Sequence, residues 1–408
     1  MKKLGPIPQG YAAQNGELII AGQCVSEIAA AAGSTPLFIY SKDMLDGRIA
    51  LLRQSMPQKL AVHYAMKANP FGPFLQHIYP MVDGIDIASG GELDIAIKNG
   101  VDPEKISFAG PGKRDEELSK AIKCGVTINL ESENEMARAI AIGRQLNIIP
   151  NLAVRVNPSF DLKGSGMKMG GGAKQFGVDE ERVPAMVRAL IDQGANWRGF
   201  HIFSGSQALS ADAIIDAQAQ TINLAARLCN EIGVPAPKVN LGGGFGIAYF
   251  PGDMPLDVFA IGMALEEKLN NLPPILQNTH FCIELGRYIS GEAGVYVTKI
   301  IDKKISHGEI FLITDGGLHH QLAASGNFGT VVRRNYPVAI ANKFESTDQE
   351  VASVVGCLCT PLDRLADQAL LPRAEIGDIV AVFCAGAYGA TASPSAFLGQ
   401  GHAQEILL

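Results

Sequence analysis

Between residues 35 and 285 the chain repeats one pattern eight times: a short run rich in Val, Ile, Phe and Ala, then a longer stretch with helical spacing. The strand-like runs are 61–66, 84–88, 105–109, 126–130, 152–157, 199–204, 238–241 and 281–285. Helical spacing marks 91–99, 131–145, 184–194 and 211–232. Glu131-Ser132-Glu133-Asn134 puts acidic and capping residues at a helix start, and Gly100, Gly125, Gly194 and Gly233 sit where C-caps fall. Strands alternating with helices imply a parallel sheet covered by helices. Eight such units predict an α/β fold, a closed TIM-like (β/α)8 barrel over 35–285. An open, doubly wound, Rossmann-like sheet of eight strands is the alternative.

After Gly291 the pattern changes. Residues 293–301, 309–314, 351–357 and 378–384 are strand-like with no helices between them, and Pro and Gly are frequent. This predicts a second, β-rich domain, a small barrel or sandwich, built from 1–34 plus 286–408. The strand-like run 17–21 is expected to pair into it. The Gly-rich stretch 164–172 follows the fifth strand and is expected to be a mobile loop near the barrel mouth.

A chain of 408 residues with 47% hydrophobic content can bury a sizeable core, and a net charge of −7 without any basic block argues against nucleic acid as a partner. Residues 1–15 lack the apolar stretch of a signal peptide, and no apolar run reaches the ~18 residues of a membrane span. Seven scattered cysteines, an odd number, suit a reducing cytoplasm. Cys357 and Cys359 are the close pair, but no His or Cys cluster accompanies them, so no metal is expected.

The polar and glycine-rich exceptions gather at the strand ends. Lys67 and Asn69 follow strand one; Asp86, Ser89 and Glu92 end or follow strand two; Arg155 and Asn157 end strand five. His201, Ser204, Gly205 and Ser206 end strand six, Gly242–Gly244 and Gly246 follow strand seven, and Glu284, Gly286 and Arg287 close strand eight. In a barrel these positions share the C-terminal mouth, where active sites lie. A lysine closing an apolar strand is expected to be partly desolvated, which favours the neutral, nucleophilic amine; the competing reading is a lysine that snorkels to solvent. Consecutive glycines after strand seven let backbone N–H groups approach a phosphate, with Ser206 and Arg287 as further donors. Glu284, among apolar neighbours, needs a cationic partner; a protonated ring nitrogen is one candidate and Arg287 the other. His201 and Phe203, two residues apart, are expected on one face of a strand, where an aromatic ring stacks on a flat cofactor or fills the core.

Seven segments, taken in order, resemble the fold-type III pyridoxal 5′-phosphate (PLP) decarboxylases, the group of diaminopimelate, ornithine and arginine decarboxylases. They are Tyr64-Ala65-Met66-Lys67-Ala68-Asn69, Asp86-Ile87-Ala88-Ser89-Gly90-Gly91-Glu92, Lys174-Gln175-Phe176-Gly177, Gly205-Ser206-Gln207, Gly242-Gly243-Gly244-Phe245-Gly246, Glu284-Leu285-Gly286-Arg287 and Gly386-Ala387-Tyr388-Gly389. Residues 284–298 look most like diaminopimelate decarboxylase. The whole chain looks most similar to pyridoxal-dependent decarboxylases of exosortase A systems, which accompany exopolysaccharide and protein-sorting loci. The resemblance implies removal of an α-carboxylate through a PLP Schiff base on Lys67 and a quinonoid intermediate. It implies Glu284 on the pyridinium proton; Gly242, Gly243, Gly244, Ser206, Gly286, Arg287 and Tyr388 on the phosphate; and Asp86, Arg155, His201 and Phe203 near the ring. It also implies a homodimer with shared active sites, which the cysteine usage places in the cytoplasm. Cys359 of the second subunit would protonate the carbanionic carbon, with Thr360, Arg287 and Tyr388 at the substrate.

Two departures from that pattern stand out. Phe203 occupies the place of the family's ring-stacking histidine, and His201 matches an earlier, less central one. Thr360 stands where the family has the Asp or Glu that binds a distal ammonium, and a hydroxyl cannot replace that charge pairing. The expected substrate is therefore not plain diaminopimelate, ornithine or lysine; analogy with related decarboxylases of antibiotic pathways suggests one tethered to a carrier protein, with a free acidic amino acid as the other candidate. A fold-type III racemase and a non-catalytic, decarboxylase-like binding protein are the alternatives; the cysteine segment and Glu284 speak against the first, and retention of Lys67, Glu284 and Cys359 against the second.

Overall fold

The computed structural model describes residues 1–326 and 334–408, which fall into two compact units. One comprises 49–246 and 256–286; the other comprises 1–48, 247–255 and 287–408.

The first unit is the barrel. Its strands are β1 (Ala61–Ala65), β2 (Gly84–Ile87), β3 (Ile106–Phe108), β4 (Thr127–Leu130), β5 (Asn151–Asn157), β6 (Asn196–Ile202), β7 (Lys238–Asn240) and β8 (His280–Leu285). Each is parallel to its neighbours. β8 pairs with β1 and β4 with β5, so the sheet closes on itself and the open-sheet alternative is excluded. β6 and β7 approach so closely that a Cβ on Gly199 would collide with the Lys238 carbonyl, and Gly199 has φ +111°. A short strand not foreseen, Val178–Asp179, adds to the outer end of β5.

The covering helices follow their sequence signals. Ser89, Ser132 and Ser210 cap Gly90–Lys98, Glu133–Leu146 and Ala211–Ile232 by accepting from the amides of Glu92, Glu135 and Ala213. The longest, Ala211–Ile232, buries Ile214, Ala217, Thr221, Leu224, Ala225, Leu228 and Ile232 at helical spacing and ends at left-handed Gly233. The Gly-rich stretch after β5 is not wholly irregular: Met167–Lys168 pairs antiparallel with Gly205–Ser206.

The second unit is β-rich. Its long strand Gly294–Ser306 pairs antiparallel with Leu37–Tyr40, Ile379–Val382 and Glu309–Thr314. Glu309–Thr314 continues the sheet to Gln349–Val355 and Arg364–Pro372, Val338–Ile340 joins Ile379–Val382, and Gln404–Leu407 joins Leu37–Tyr40. One expectation needs correcting. Leu37–Tyr40 hydrogen-bonds into this sheet, so the structure divides the chain at 48/49 and not at 35. Glu17–Ile20 lies in this unit and pairs there with Ala12–Gln14 and Gln23–Cys24 in a small three-stranded sheet. Among the described residues no helix is long and apolar enough to cross a membrane.

Candidate active site

The barrel interior is polar toward its C-terminal end because inward positions alternate along each strand. The registers set Glu284 beside His63, Asp86 beside Ala65, and His201 between Arg155 and Asn240. Glu284 is buried; its Oε2 lies 2.7 Å from His201 Nε2 and accepts from Asn240 Nδ2 at 3.0 Å. Burial alone would raise its pKa, but the charge and hydrogen bond of His201, then the charges of Lys67 and Arg155, hold it well below the usual carboxylate range. The expected cationic competitor, Arg287, has another partner: its Nη1 donates to the Tyr249 hydroxyl at 2.8 Å.

Lys67 departs from expectation. β1 stops at Ala65, and Lys67 sits in the 3-10 turn Met66–Ala68, exposed between two buried neighbours. The burial inferred from the apolar run belongs to Met66 and Ala68. Its Nζ lies 5.5 Å from the centroid of the Phe203 ring. β6 ends at Ile202, so Phe203 is in the turn beyond the strand, while His201 points inward to Glu284.

Arg155 is buried and donates from Nη1 to Glu131 Oε1 at 2.9 Å. Glu131 also accepts from the amides of Gly110 and Gly177, so one carboxylate ties Arg155 to two neighbouring loops. Asp86 is buried, with Oδ2 3.1 Å from His63 Nδ1 and Oδ1 without a partner. Sequence reasoning missed Glu131, Asn240, His63 and Lys238. In the sequence Glu131 reads only as an acidic residue at a helix start. The other three were detectable: His63 precedes Ala65 by two residues, and Lys238, Asn240 and Gly242 alternate in the same way.

The glycine turn after β7 is shaped by close approach. A Cβ on Gly243 would collide with the Glu284 carbonyl, and one on Gly242 or Gly244 would crowd the carbonyls of Ile202 and Gly205; Gly242 and Gly244 have φ of +72° and +83°. The ends of β6, β7 and β8 therefore meet at backbone distance, in a cradle that side chains would fill. Ser206 lies at this place in the two-residue strand Gly205–Ser206, and Gly286 follows β8. Within the β-rich unit, the Arg287 guanidinium stacks 4.7 Å over the Tyr388 ring, and its Nε is buried without a partner. Burial opposes its charge, yet Tyr249 and Tyr388 leave its pKa raised overall. Cys359 is exposed and Thr360 partly so, on a turn of that unit.

These residues fit the expected cofactor. They offer an accessible amine, a buried anionic acceptor, an unpartnered buried carboxylate oxygen and a glycine cradle free of side chains. The family model described as "Pyridoxal-dependent decarboxylase, pyridoxal binding domain" matches residues 43–291. The chain is 34% identical to an L-glutamyl-[BtrI acyl-carrier protein] decarboxylase of Niallia circulans, covering 91% of this chain and 88% of that protein. It is 31% identical to a diaminopimelate decarboxylase of Aquifex aeolicus, covering 92% and 87%. Among solved structures, diaminopimelate decarboxylase (I148L mutant) from Helicobacter pylori complexed with L-lysine is similar at a TM-score of 0.83 and 26% identity, covering 94% of each chain.

Proposed function

The chain belongs to the pyridoxal-dependent decarboxylases, whose cofactor is PLP, and from that membership we propose that it removes the α-carboxylate of an amino acid, or amino-acid derivative, that carries no free distal ammonium. When bound, PLP supplies an electron sink for the pair released with carbon dioxide. Lys67 would provide the amine that holds the cofactor and yields it to the substrate amine. Glu284 would keep a proton on the ring nitrogen. Gly242, Gly243, Gly244, Ser206 and Gly286 would bind the phosphate, Phe203 would lie near the ring, and Asp86 and Arg155 would set the charge near Lys67. The family resemblance also assigns Arg287 and Tyr388 to the phosphate. The observation that carries this reading is Glu284: a buried carboxylate held ionised inside the same barrel that presents Lys67 at its mouth.

On the substrate side, Thr360 offers a hydroxyl and no charge, and the relative from Niallia circulans is named for a glutamyl group on a carrier protein. Both support an acidic amino acid, free or carrier-tethered. We propose a cytoplasmic homodimer in which Cys359 of a second copy delivers the proton to the carbon that lost its carboxylate; all seven cysteines are free thiols. Exopolysaccharide biosynthesis is the proposed setting.

The purified protein should carry a visible absorbance band that borohydride abolishes and that Lys67→Ala lacks. A folded protein with no affinity for PLP would overturn the site assignment. Carbon dioxide release from free L-glutamate, from carrier-bound glutamate and from diaminopimelate then reads the substrate class; release from diaminopimelate alone would overturn the reading of Thr360.

A further inference from the structure

A hydrogen-bonded chain crosses the barrel interior from its lower end to the site. Lys238 opens β7 and is partly exposed; its Nζ lies 2.8 Å from His63 Nε2 on β1. His63 Nδ1 lies 3.1 Å from Asp86 Oδ2 on β2. His63 is buried, and its ring packs on Gly84, where any Cβ would collide with the imidazole. The remaining oxygen, Asp86 Oδ1, is buried without a partner.

The chemistry of these groups gives the chain a direction. An ammonium only donates, so with Lys238 at Nε2 the geometry points to the tautomer of His63 that carries its proton on Nδ1, toward Asp86. The other titratable groups around the imidazole are otherwise engaged. Asp83, before β2, accepts from Arg53 and the Val62 amide. Glu284, beside His63 in register, is held by His201 and Asn240. The Cys282 thiol on β8 is pushed up to about 12 by burial.

We propose that Lys238 and His63 are positioning residues for the cofactor site: they hold Asp86 as an oriented carboxylate and leave Oδ1 as an acceptor for a donor that arrives with PLP. An orphaned buried carboxylate oxygen is costly, so a partner supplied on binding accounts for it. The inference rests on the assignment of Asp86 to the PLP site.

The test uses the full chain labelled with ¹⁵N-histidine, with and without PLP. In the cofactor-free parent, the His63 signal, identified by its loss in His63→Gln, should show the tautomer protonated on Nδ1. In Lys238→Met that tautomer preference should be lost, and PLP affinity should fall about tenfold, the loss expected of one charge-assisted hydrogen bond. Lys238→Arg should restore both. An Nε2-protonated tautomer of His63 in the parent overturns the proposal without any variant, as does a Lys238→Met protein whose tautomer and affinity match the parent within twofold. Failure of the parent to bind PLP would instead overturn the site assignment, because the imidazole measurement needs no cofactor.

Discussion

Inside the barrel, Lys238, His63, Asp86, Arg155, His201, Asn240 and Glu284 all point inward from strands, and each has a side-chain partner on another element. In the β-rich unit the strands bury Val295, Tyr296, Val297, Val380, Ala381 and Val382, and the candidate reactive group, Cys359, sits exposed on a turn. The first arrangement places charge on rigid, low-dielectric scaffolding, where orientation and protonation state are set by neighbours. The second presents a group whose properties depend on what it meets. Substitutions at inward positions of the barrel strands should therefore alter cofactor chemistry and stability together, whereas those at exposed turn positions, Lys67 and Cys359, should separate them.

The largest effect separates chemistry from folding at a single barrel residue. Lys67 is exposed, so Lys67→Ala should abolish carbon dioxide release and borohydride labelling while changing unfolding free energy by no more than about 0.5 kcal/mol. Substantial labelling in this variant would remove Lys67 from the cofactor site.

Glu284 should show the coupling. Glu284→Ala strips His201 and Asn240 of their acceptor inside the barrel and should cost about 3–5 kcal/mol in urea unfolding, with loss of turnover. Glu284→Gln keeps an acceptor oxygen and should cost less. Because the folded pKa of Glu284 is lowered, its ionised form contributes stability that is complete above the unfolded value near ~4.3 and is lost as pH falls through the folded value. The stability gap between parent and Glu284→Gln should thus be widest at neutral pH and shrink below about pH 4. A gap that does not change with pH would mean that Glu284 is not held ionised.

The contrast between the units also explains what could be read in advance. The barrel was legible because eight strand–helix units leave a periodic trace, and its site because polar residues at successive strand ends break an apolar pattern. The partners were harder to see. The sequence offers Glu284 a protonated ring nitrogen or Arg287 as its cation, but the barrel curvature brings His201 and Asn240, on β6 and β7, to the same carboxylate. Glu131 reads as part of an acidic, capped helix start because Ser132 and Glu133 follow it; closure of β4 onto β5 delivers Arg155 to it. The exposure of Lys67 turns on one residue of strand length, finer than periodicity resolves. The N-terminal strand pairings depend on contacts hundreds of residues apart, as with Leu37–Tyr40 and Gly294–Ser306, and leave no local signal.

A backbone contact gives the third effect. Gly243→Ala places a methyl against the Glu284 carbonyl, which neither β7 nor β8 can vacate cheaply, so it should cost about 1–3 kcal/mol and weaken PLP binding. Gly112→Ala is the control: a Cβ there meets open space, and the change should stay within about 0.5 kcal/mol with PLP affinity unaltered. Equal behaviour of the two would mean the glycine turn does not shape the cradle.

The smallest effect on folding is expected on the turn of the β-rich unit. Cys359 is exposed, so Cys359→Ala should leave unfolding free energy within about 0.5 kcal/mol and PLP content unchanged. Its effect should appear only where a proton reaches carbon. With Cys359 absent, carbon dioxide should still be released, while the product divides between the expected amine and the species that results from protonation at the wrong atom. Cys359→Ser, with a poorer acid in the same place, should fall between the two. Measuring carbon dioxide and amine separately resolves the question, since a loss of both in equal measure would point to a defect before the proton transfer. An unchanged ratio with unchanged turnover would remove Cys359 from the proton transfer.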